Sequence, residues 1–379
     1  MNLLHVVNIY FVIPYFLGDQ LVYFKNKGYN EYIVCSPSDE IEKYAHVQMF
    51  EYQEVPIDRK MSFIRDIKAI KAIRNYININ NIDVVTGHTP KGALLGMIAA
   101  WLERIPKRIY FRHGLVFETA TGFKRSVLIM IDKFTAKLAT EIINVSPSVA
   151  KRSIKEKLNP PYKQSTLSKG TCNGISMRKF NKDNLDINYI NSIKRKLNID
   201  SKSFIIGYTG RLVKDKGISE LVQAFKRLER SFPHVKLLLV GMFEERDALP
   251  DEIIEFIKTD PNIIHVGYVN YNEIEYYYSL MDIFVLLSYR EGFPTSILEA
   301  SAMGLPIITT RATGCIDSII EGKTGLFVTH NQNDIIKAIK QFIVNEEQRR
   351  IFGTAGREFV EINFASEIIW QELEKIYKK

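Results

Sequence analysis

The feature that most restricts the fold of this chain is an alternation. Short β-branched and aliphatic runs are separated by longer segments with helical apolar spacing, and this rhythm continues from the N-terminus to about residue 328. Such a pattern belongs to parallel sheets wrapped by helices. The first set of runs is LLHVVNIYFV from Leu3, EYIVCS from Glu31, IDVVTGH from Ile82, KRIYFRHG from Lys107 and EIINVSPS from Glu141, with a further strand-like stretch over 165–173. Helical spacing falls over 63–78, 91–102 and 123–139. The segment 173–201 then loosens into polar sequence rich in Asn, Lys and Asp. A second set follows: FIIGYTGR from Phe204, VKLLLVG from Val235, IIHVGYV from Ile263, IFVLLS from Ile283, LPIITT from Leu305 and GLFV from Gly325. Helices are expected over 219–231, 251–258, 272–281 and 295–303.

The expected architecture is α/β, with two Rossmann-like doubly wound domains facing across a cleft. We expect them over 1–185 and 186–355. Helical sequence runs from about 345 to the end, and the part over 356–379 is expected to pack back on the first domain. The aromatic residues Phe352, Phe359, Phe364 and Trp370 are candidates for that packing. A length of 379 residues agrees with two domains rather than one.

Composition narrows the class further. With 46% hydrophobic and 25% charged residues the chain is neither disordered nor fibrous. Cys35, Cys172 and Cys315 are widely spaced and form no CxxC pair, so neither a disulfide framework nor a zinc site is expected, and a reducing cytoplasm fits best. The apolar stretch 3–17 lacks a basic leader and is broken by His5, Asn8 and Pro14, which reads as a buried strand running into a loop rather than a signal peptide. The stretch 93–102 is half the roughly 20 residues that span a bilayer. The net charge of +8 is concentrated: 104–179 holds sixteen Lys and Arg against Glu118, Asp132, Glu141 and Glu156. A basic surface there suits anionic lipid headgroups, diphosphate-linked substrates or nucleic acid, and a solvated basic face is the plain alternative.

Two segments carry the chemistry. In the first, Gly210, Arg211, Leu212, Val213, Lys214, Asp215, Lys216 and Gly217 connect a strand to a helix. The amide donors and positive dipole end of a helix N-terminus favour an anion, and Arg211 with Lys216 completes a clamp for a diphosphate. In the second, Glu291, Gly292, Phe293, Pro294 and Thr295 lead into a helix that carries Glu299. Glu291 and the amides near Phe293 and Pro294 can approach a polar ligand from the loop. Glu299 faces inward if Ile297, Leu298 and Met303 mark the core side, and a buried carboxylate then needs a hydrogen-bonding partner such as a ribose diol.

The pair GRLVKDKG and EGFPTSILEASAMGLPII, in that order and about eighty residues apart, resembles the donor half of the family-four retaining glycosyltransferases of the two-Rossmann (GT-B) type. KGTCNGIS resembles that family's interdomain segment, through Asn173, Gly174 and Ile175. ATGCIDSIIEGKTGLFV, with Gly314 and Gly325, resembles its closing donor-domain segment. The resemblance implies Arg211 and Lys216 on the donor diphosphate, Glu299 on the ribose, and Glu291 on the sugar near its C3 hydroxyl. It also implies a histidine near the reacting sugar. His113 fits that position better than His88, although both follow strands whose C-terminal ends face the ligand crevice, and Arg112 is placed to meet a phosphate. Departures exist as well. Many relatives have a Gly-Gly pair in the first loop, where this chain has Pro14, Tyr15, Phe16, Leu17 and Gly18, and Asp317 stands where another acidic residue is usual.

The resemblance implies transfer of a hexosyl group with retention, the departing phosphate taking the acceptor proton. The SYREGFPTSILEA segment is similar to that of polysaccharide-assembly members, which implies a UDP-linked N-acetylhexosamine or related donor, with GDP-mannose as the alternative, and a polyprenyl-diphosphate-linked glycan acceptor. No Asp-x-Asp motif lies where a diphosphate would sit, so no metal or other cofactor is expected. Lys124, Arg125, Lys133 and Lys137 surround the run VLIMI, a basic amphipathic helix suited to an anionic membrane, which places the protein in the cytoplasm at the inner face of the cell membrane. Rival readings are weaker. A dehydrogenase lacks its GxGxxG here, and a nucleic-acid binder leaves Glu291 and Glu299 unexplained. A non-catalytic sugar-nucleotide sensor differs only in turnover.

Overall fold

The computed structural model describes residues 1–58 and 60–379. The chain divides into two compact units, one formed by 1–174 together with 366–379 and the other by 175–365. Each contains one parallel sheet.

In the first unit the strands are β1 (Asn2–Val6), β2 (Asn30–Cys35), β3 (Glu51–Glu54), β4 (Val84–Gly87), β5 (Lys107–Arg112), β6 (Glu141–Asn144) and β7 (Gln164–Ser165). Their spatial order is β3-β2-β1-β4-β5-β6-β7, all parallel. The chain thus starts at the centre, winds to one edge, returns, and continues to the other, which is the doubly wound topology. In the second unit β8 (Phe204–Thr209), β9 (Val235–Val240), β10 (Ile263–Gly267), β11 (Ile283–Leu286), β12 (Ile307–Thr310) and β13 (Gly325–Val328) repeat the same winding as β10-β9-β8-β11-β12-β13. The central strands β8 and β11 are buried at every residue because helices cover both faces, which is why their sequences are continuous apolar runs.

Several boundaries depart from the sequence expectation. The division between units falls at 174/175 rather than 185/186, so the polar stretch around Asn181 belongs to the second unit, where buried Phe180 lies beside Tyr271 and Tyr278. Strand β3 was not expected from its sequence EYQE. It is an edge strand with no fully buried residue, so no apolar run marks it. Of 165–173 only Ser165 is in a strand.

The terminal helical sequence is two helices, Glu346–Phe364 and Ser366–Lys378, broken at Ala365. Its backbone is extended there (φ −55°, ψ 138°), and the amide of Ile175 donates to the carbonyl of Phe364 at 2.8 Å. The crossing to the first unit therefore starts at 366, not 356. Consequently Phe352 packs on Phe342, and Phe364 on Phe293 and Phe359, all within the second unit. Of the aromatic residues singled out for packing across, Trp370 alone lies in the first unit, where its indole donates to Asn173 at 3.0 Å.

Cys35, Cys172 and Cys315 are free and buried. Among the described residues no helix is long and apolar enough to cross a membrane.

Candidate functional site

In the second unit the two predicted segments meet. Gly210, Arg211 and Lys216 lie on the loop that joins β8 to the helix Ile218–Leu228. Gly217 closes that loop with φ +70°, and a Cβ there would come within 2.2 Å of the Leu287 carbonyl, so only glycine lets the turn pass this close to the end of β11. The close passage brings Lys216 to the other segment. Its Nζ lies 2.5 Å from Glu291 Oε1, which also accepts from Ser288 Oγ at 2.7 Å. Beside it Arg290 Nη2 reaches Asp215 at 3.5 Å, and the amide of Tyr289 donates to the Asp215 carbonyl at 2.9 Å.

A second bridge joins the same segments from below. Glu299, on the helix Thr295–Ala302, is buried and accepts from Tyr278 Oη at 2.8 Å. The Tyr278 oxygen is in turn 2.6 Å from Thr209 Oγ1, the residue immediately before Gly210. Burial pushes the Glu299 carboxyl up to about 7, opposed by the Tyr278 hydrogen bond and by the charge of Lys179, and reinforced by Glu275. Lys179 and Glu275 pair with each other at 2.5 Å. Glu299 is thus a buried acid able to change ionisation near neutral pH.

The remaining predicted residues line the start of that helix. Phe293 and Pro294 are buried, while Gly292, Thr295 and Glu291 keep partial exposure. Pro294 is the N-cap residue and supplies no side-chain hydrogen bond to the first turn, so the unpaired amide donors there are available to an anion. Gly314 (φ +80°) passes under this loop, where a Cβ would meet the Gly292 carbonyl at 2.5 Å. Arg211 points outward and pairs with Glu244 at 2.6 Å. Both partners of that pair are substantially exposed, so it is worth about 1 kcal/mol or less and a diphosphate can displace it at little cost.

In the first unit His88 and His113 follow β4 and β5 as expected. Their rings are in contact, His88 Nδ1 lying 3.0 Å from His113 Nε2. Burial pushes the His113 imidazole down to about 3 and lowers His88 strongly, the charges of its histidine neighbours adding to the effect on His88, so both rings are neutral at physiological pH. Phe16 stacks on His113 with centroids 3.7 Å apart. The first loop, which lacks a Gly-Gly pair, therefore supplies a ring that covers the histidine.

Arg112 is a correction. Its side chain is fully buried, pairs with Asp132 at 2.6 Å and donates to Asn144, Ser153 and Asn159, so it is held inside the fold rather than presented to a phosphate. The basic segment 104–179 is likewise less free than its composition implies. Arg125 and Arg152 share Glu156, Lys179 pairs with Glu275, and Arg178 and Lys179 lie in the second unit. Sequence reasoning missed Ser288, Tyr278 and Glu244, polar or aromatic side chains whose partners lie on distant segments. Among the described residues no group of three or more His, Cys, Asp or Glu is arranged to hold a metal ion.

Two parallel-sheet Rossmann-like units, the second carrying basic and acidic loops at its strand ends, define a glycosyltransferase of the GT-B class. Comparison with known proteins agrees. Residues 190–359 match the family described as "Glycosyl transferases group 1", and residues 3–146 match "Glycosyl transferase 4-like". The capsular polysaccharide biosynthesis glycosyltransferase CapM of Staphylococcus aureus is 35% identical over 382 residues, covering 99% of this chain and 96% of that protein. The N,N'-diacetylbacillosaminyl-diphospho-undecaprenol alpha-1,3-N-acetylgalactosaminyltransferase of Campylobacter jejuni is 26% identical, covering 92% and 91%. The crystal structure of Anabaena HepE in complex with UDP and glucose superposes with a TM-score of 0.84 at 15% identity, over 100% of this chain and 99% of that one. The chain belongs to the glycosyltransferase family represented by these group 1 and 4-like enzymes.

Proposed function

We propose that this glycosyltransferase moves an N-acetylhexosamine or related hexose from a UDP-sugar to a hydroxyl of a polyprenyl-diphosphate-linked glycan, with retention and without a metal ion or other cofactor. The observation that carries the reading is the double bridge in the second unit, Lys216 to Glu291 and Thr209 through Tyr278 to Glu299. It gathers two cations, an uncapped helix start and a buried carboxylate around one end of the sheet. Arg211 and Lys216 would bear on the charge that grows on the leaving diphosphate. Glu299 would accept from the ribose hydroxyls, and Glu291 would accept from the sugar while Lys216 turns toward phosphate. The proton of the acceptor hydroxyl goes to the departing phosphate on the same face, so no protein nucleophile is required. The lipid-linked substrate in the name of the Campylobacter relative and the UDP bound in HepE support the acceptor and donor classes.

The acceptor's lipid calls for a membrane surface, and the first unit offers one. On the helix Gly122–Leu138, Phe123, Met130 and Phe134 are 85, 63 and 48% exposed and fall on a single stripe, with Lys124, Lys133 and Lys137 exposed beside it. An apolar stripe flanked by lysines suits an anionic leaflet at the cytoplasmic face. The protein should sediment with anionic vesicles at low salt, and serine at positions 123, 130 and 134 should release it. Absence of sedimentation by the unaltered chain would remove the membrane reading.

The donor is tested by thermal unfolding with saturating UDP, GDP and ADP. A nucleotide at about 100 times its dissociation constant adds about 2.7 kcal/mol. A shift with UDP that is lost in Glu299→Ala supports the reading. A shift with GDP alone moves the donor to GDP-mannose, and no shift with any of the three overturns the nucleotide site. Turnover unchanged in excess chelator checks metal independence, and absence of any turnover with UDP bound would leave a sensor.

A further inference from the structure

The first unit contains a line of polar side chains that the donor chemistry does not use. Strands β2, β1, β4 and β5 are neighbours, their register places Glu31, His5 and Thr86 on one face of the sheet, and His88 and His113 follow directly at the ends of β4 and β5. Glu31 Oε2 is 2.9 Å from His5 Nε2, and His5 Nδ1 is 2.6 Å from Thr86 Oγ1. Thr86 Oγ1 is 3.2 Å from His88 Nε2, and His88 Nδ1 is 3.0 Å from His113 Nε2. Glu31, His5, Thr86 and His88 are all buried. Burying a carboxylate and its imidazole partners is costly unless each is paired. Here every ring nitrogen from His5 Nε2 to His113 Nε2 has a partner, whereas His113 Nδ1 has none among the described residues.

Neutral imidazole has one N–H, so each hydrogen bond fixes the direction of the next. Burial raises the Glu31 carboxyl, and its Oε1 is buried without a partner among the described residues, while the hydrogen bond and charge of His5 and the charge of Lys25 lower it. With Glu31 ionised, His5 Nε2–H donates to the carboxylate and His5 Nδ1 accepts from the Thr86 hydroxyl. This short contact takes the hydroxyl proton in preference to the Leu4 carbonyl at 3.3 Å. Thr86 then accepts from His88 Nε2–H, and His88 Nδ1 accepts from His113 Nε2–H. His113 is left with a lone pair on Nδ1. Phe111 stacked on His88 and Phe16 stacked on His113 keep both rings in the orientation the line requires.

We propose that Glu31, His5, Thr86 and His88 are positioning residues that hold His113 with its proton on Nε2, so that Nδ1 is an acceptor for a hydroxyl of the bound sugar. The proposal rests on the reading of His113 as the residue beside the reacting sugar.

The test is imidazole nitrogen NMR on the full chain with labelled histidine, the His113 signals identified by their loss in His113→Gln. Unaltered protein and Thr86→Ser should show Nδ1 unprotonated at neutral pH. Thr86→Val, which replaces the hydroxyl by a methyl group, and Glu31→Gln should move His113 toward a mixture of tautomers. They should also lower turnover roughly 10- to 100-fold, as loss of a partner that orients a functional imidazole does, with little change in KM for the donor. Protonated Nδ1 in the unaltered protein, a measurement that needs no variant to fold, overturns the proposal. So do His113 signals that are identical in all four proteins. UDP-induced stabilisation, measured on the same samples, reports on the other unit. If it is absent the donor reading fails, while the tautomer result still stands or falls by itself.

Discussion

Replacing Glu299 by Gln should stabilise the nucleotide-free protein at pH 8 while weakening nucleotide binding. The carboxyl lies in a buried site that moves it from its ordinary 4.5 to about 7. Its neighbours are the Tyr278 hydroxyl, Lys179 and Glu275. Because the folded value is raised, the stability this group contributes is fully present below pH 4.5 and is lost as pH rises through 7. Above pH 7 the folded protein carries an ionised buried carboxylate. At about 1.36 kcal/mol for each tenfold change in acidity, the loss comes to about 3 kcal/mol. Glutamine can still accept from Tyr278 and does not titrate. The stability of Glu299→Gln relative to the unaltered protein should therefore rise from near zero at pH 4.5 to about 3 kcal/mol at pH 8. For a unit of this size that is a gain of about 6 to 12 °C in Tm. Thermal or urea unfolding of both proteins across this range measures the difference, and the other titrating groups cancel in it. A difference that does not change with pH would refute the reasoning. The same variant should lose most UDP stabilisation, since a neutral amide cannot match a carboxylate as acceptor for a ribose diol.

Three further outcomes are expected. Lys216→Ala should lower turnover roughly 10²- to 10³-fold, because it removes a cation from the leaving diphosphate, and near-normal turnover in a steady-state assay would exclude that role. Gly314→Ala should raise the donor KM while the fold persists, since its Cβ would push the Gly292 carbonyl and shift the loop that starts the Glu299 helix; unchanged donor affinity would show that this loop does not touch the donor. Arg112→Met should cost about 3 to 5 kcal/mol in chemical unfolding because Asp132 loses its buried partner, and a loss of acceptor binding with full stability would instead restore Arg112 to the ligand.

Much of this protein was legible without coordinates. The alternation of apolar runs and helical spacing determines two doubly wound sheets, because a strand covered on both faces must be apolar throughout and a crossover helix must follow it. The segments that carry Lys216 and Glu299 were readable for the same local reason: strand ends and helix starts have their own sequence marks. Even the inward direction of Glu299 follows from helical periodicity. What local sequence does not contain is the distance between segments. Lys216 meets Glu291 across 75 residues because Gly217 lets one loop pass the end of β11. Arg112 looked like a ligand contact beside His113, but successive side chains of a strand point to opposite faces, and it lies on the face that carries Asp132. The break at Ala365, invisible in a continuous helical pattern, decided where the chain returns to its first unit. Glu31 and His5 were an isolated acid and an isolated histidine in apolar runs, and the pairing of β1 with β2 and β4 is what joined them to His88 and His113. Composition and period are local properties of a chain, whereas register and contact are set by how the strands assemble.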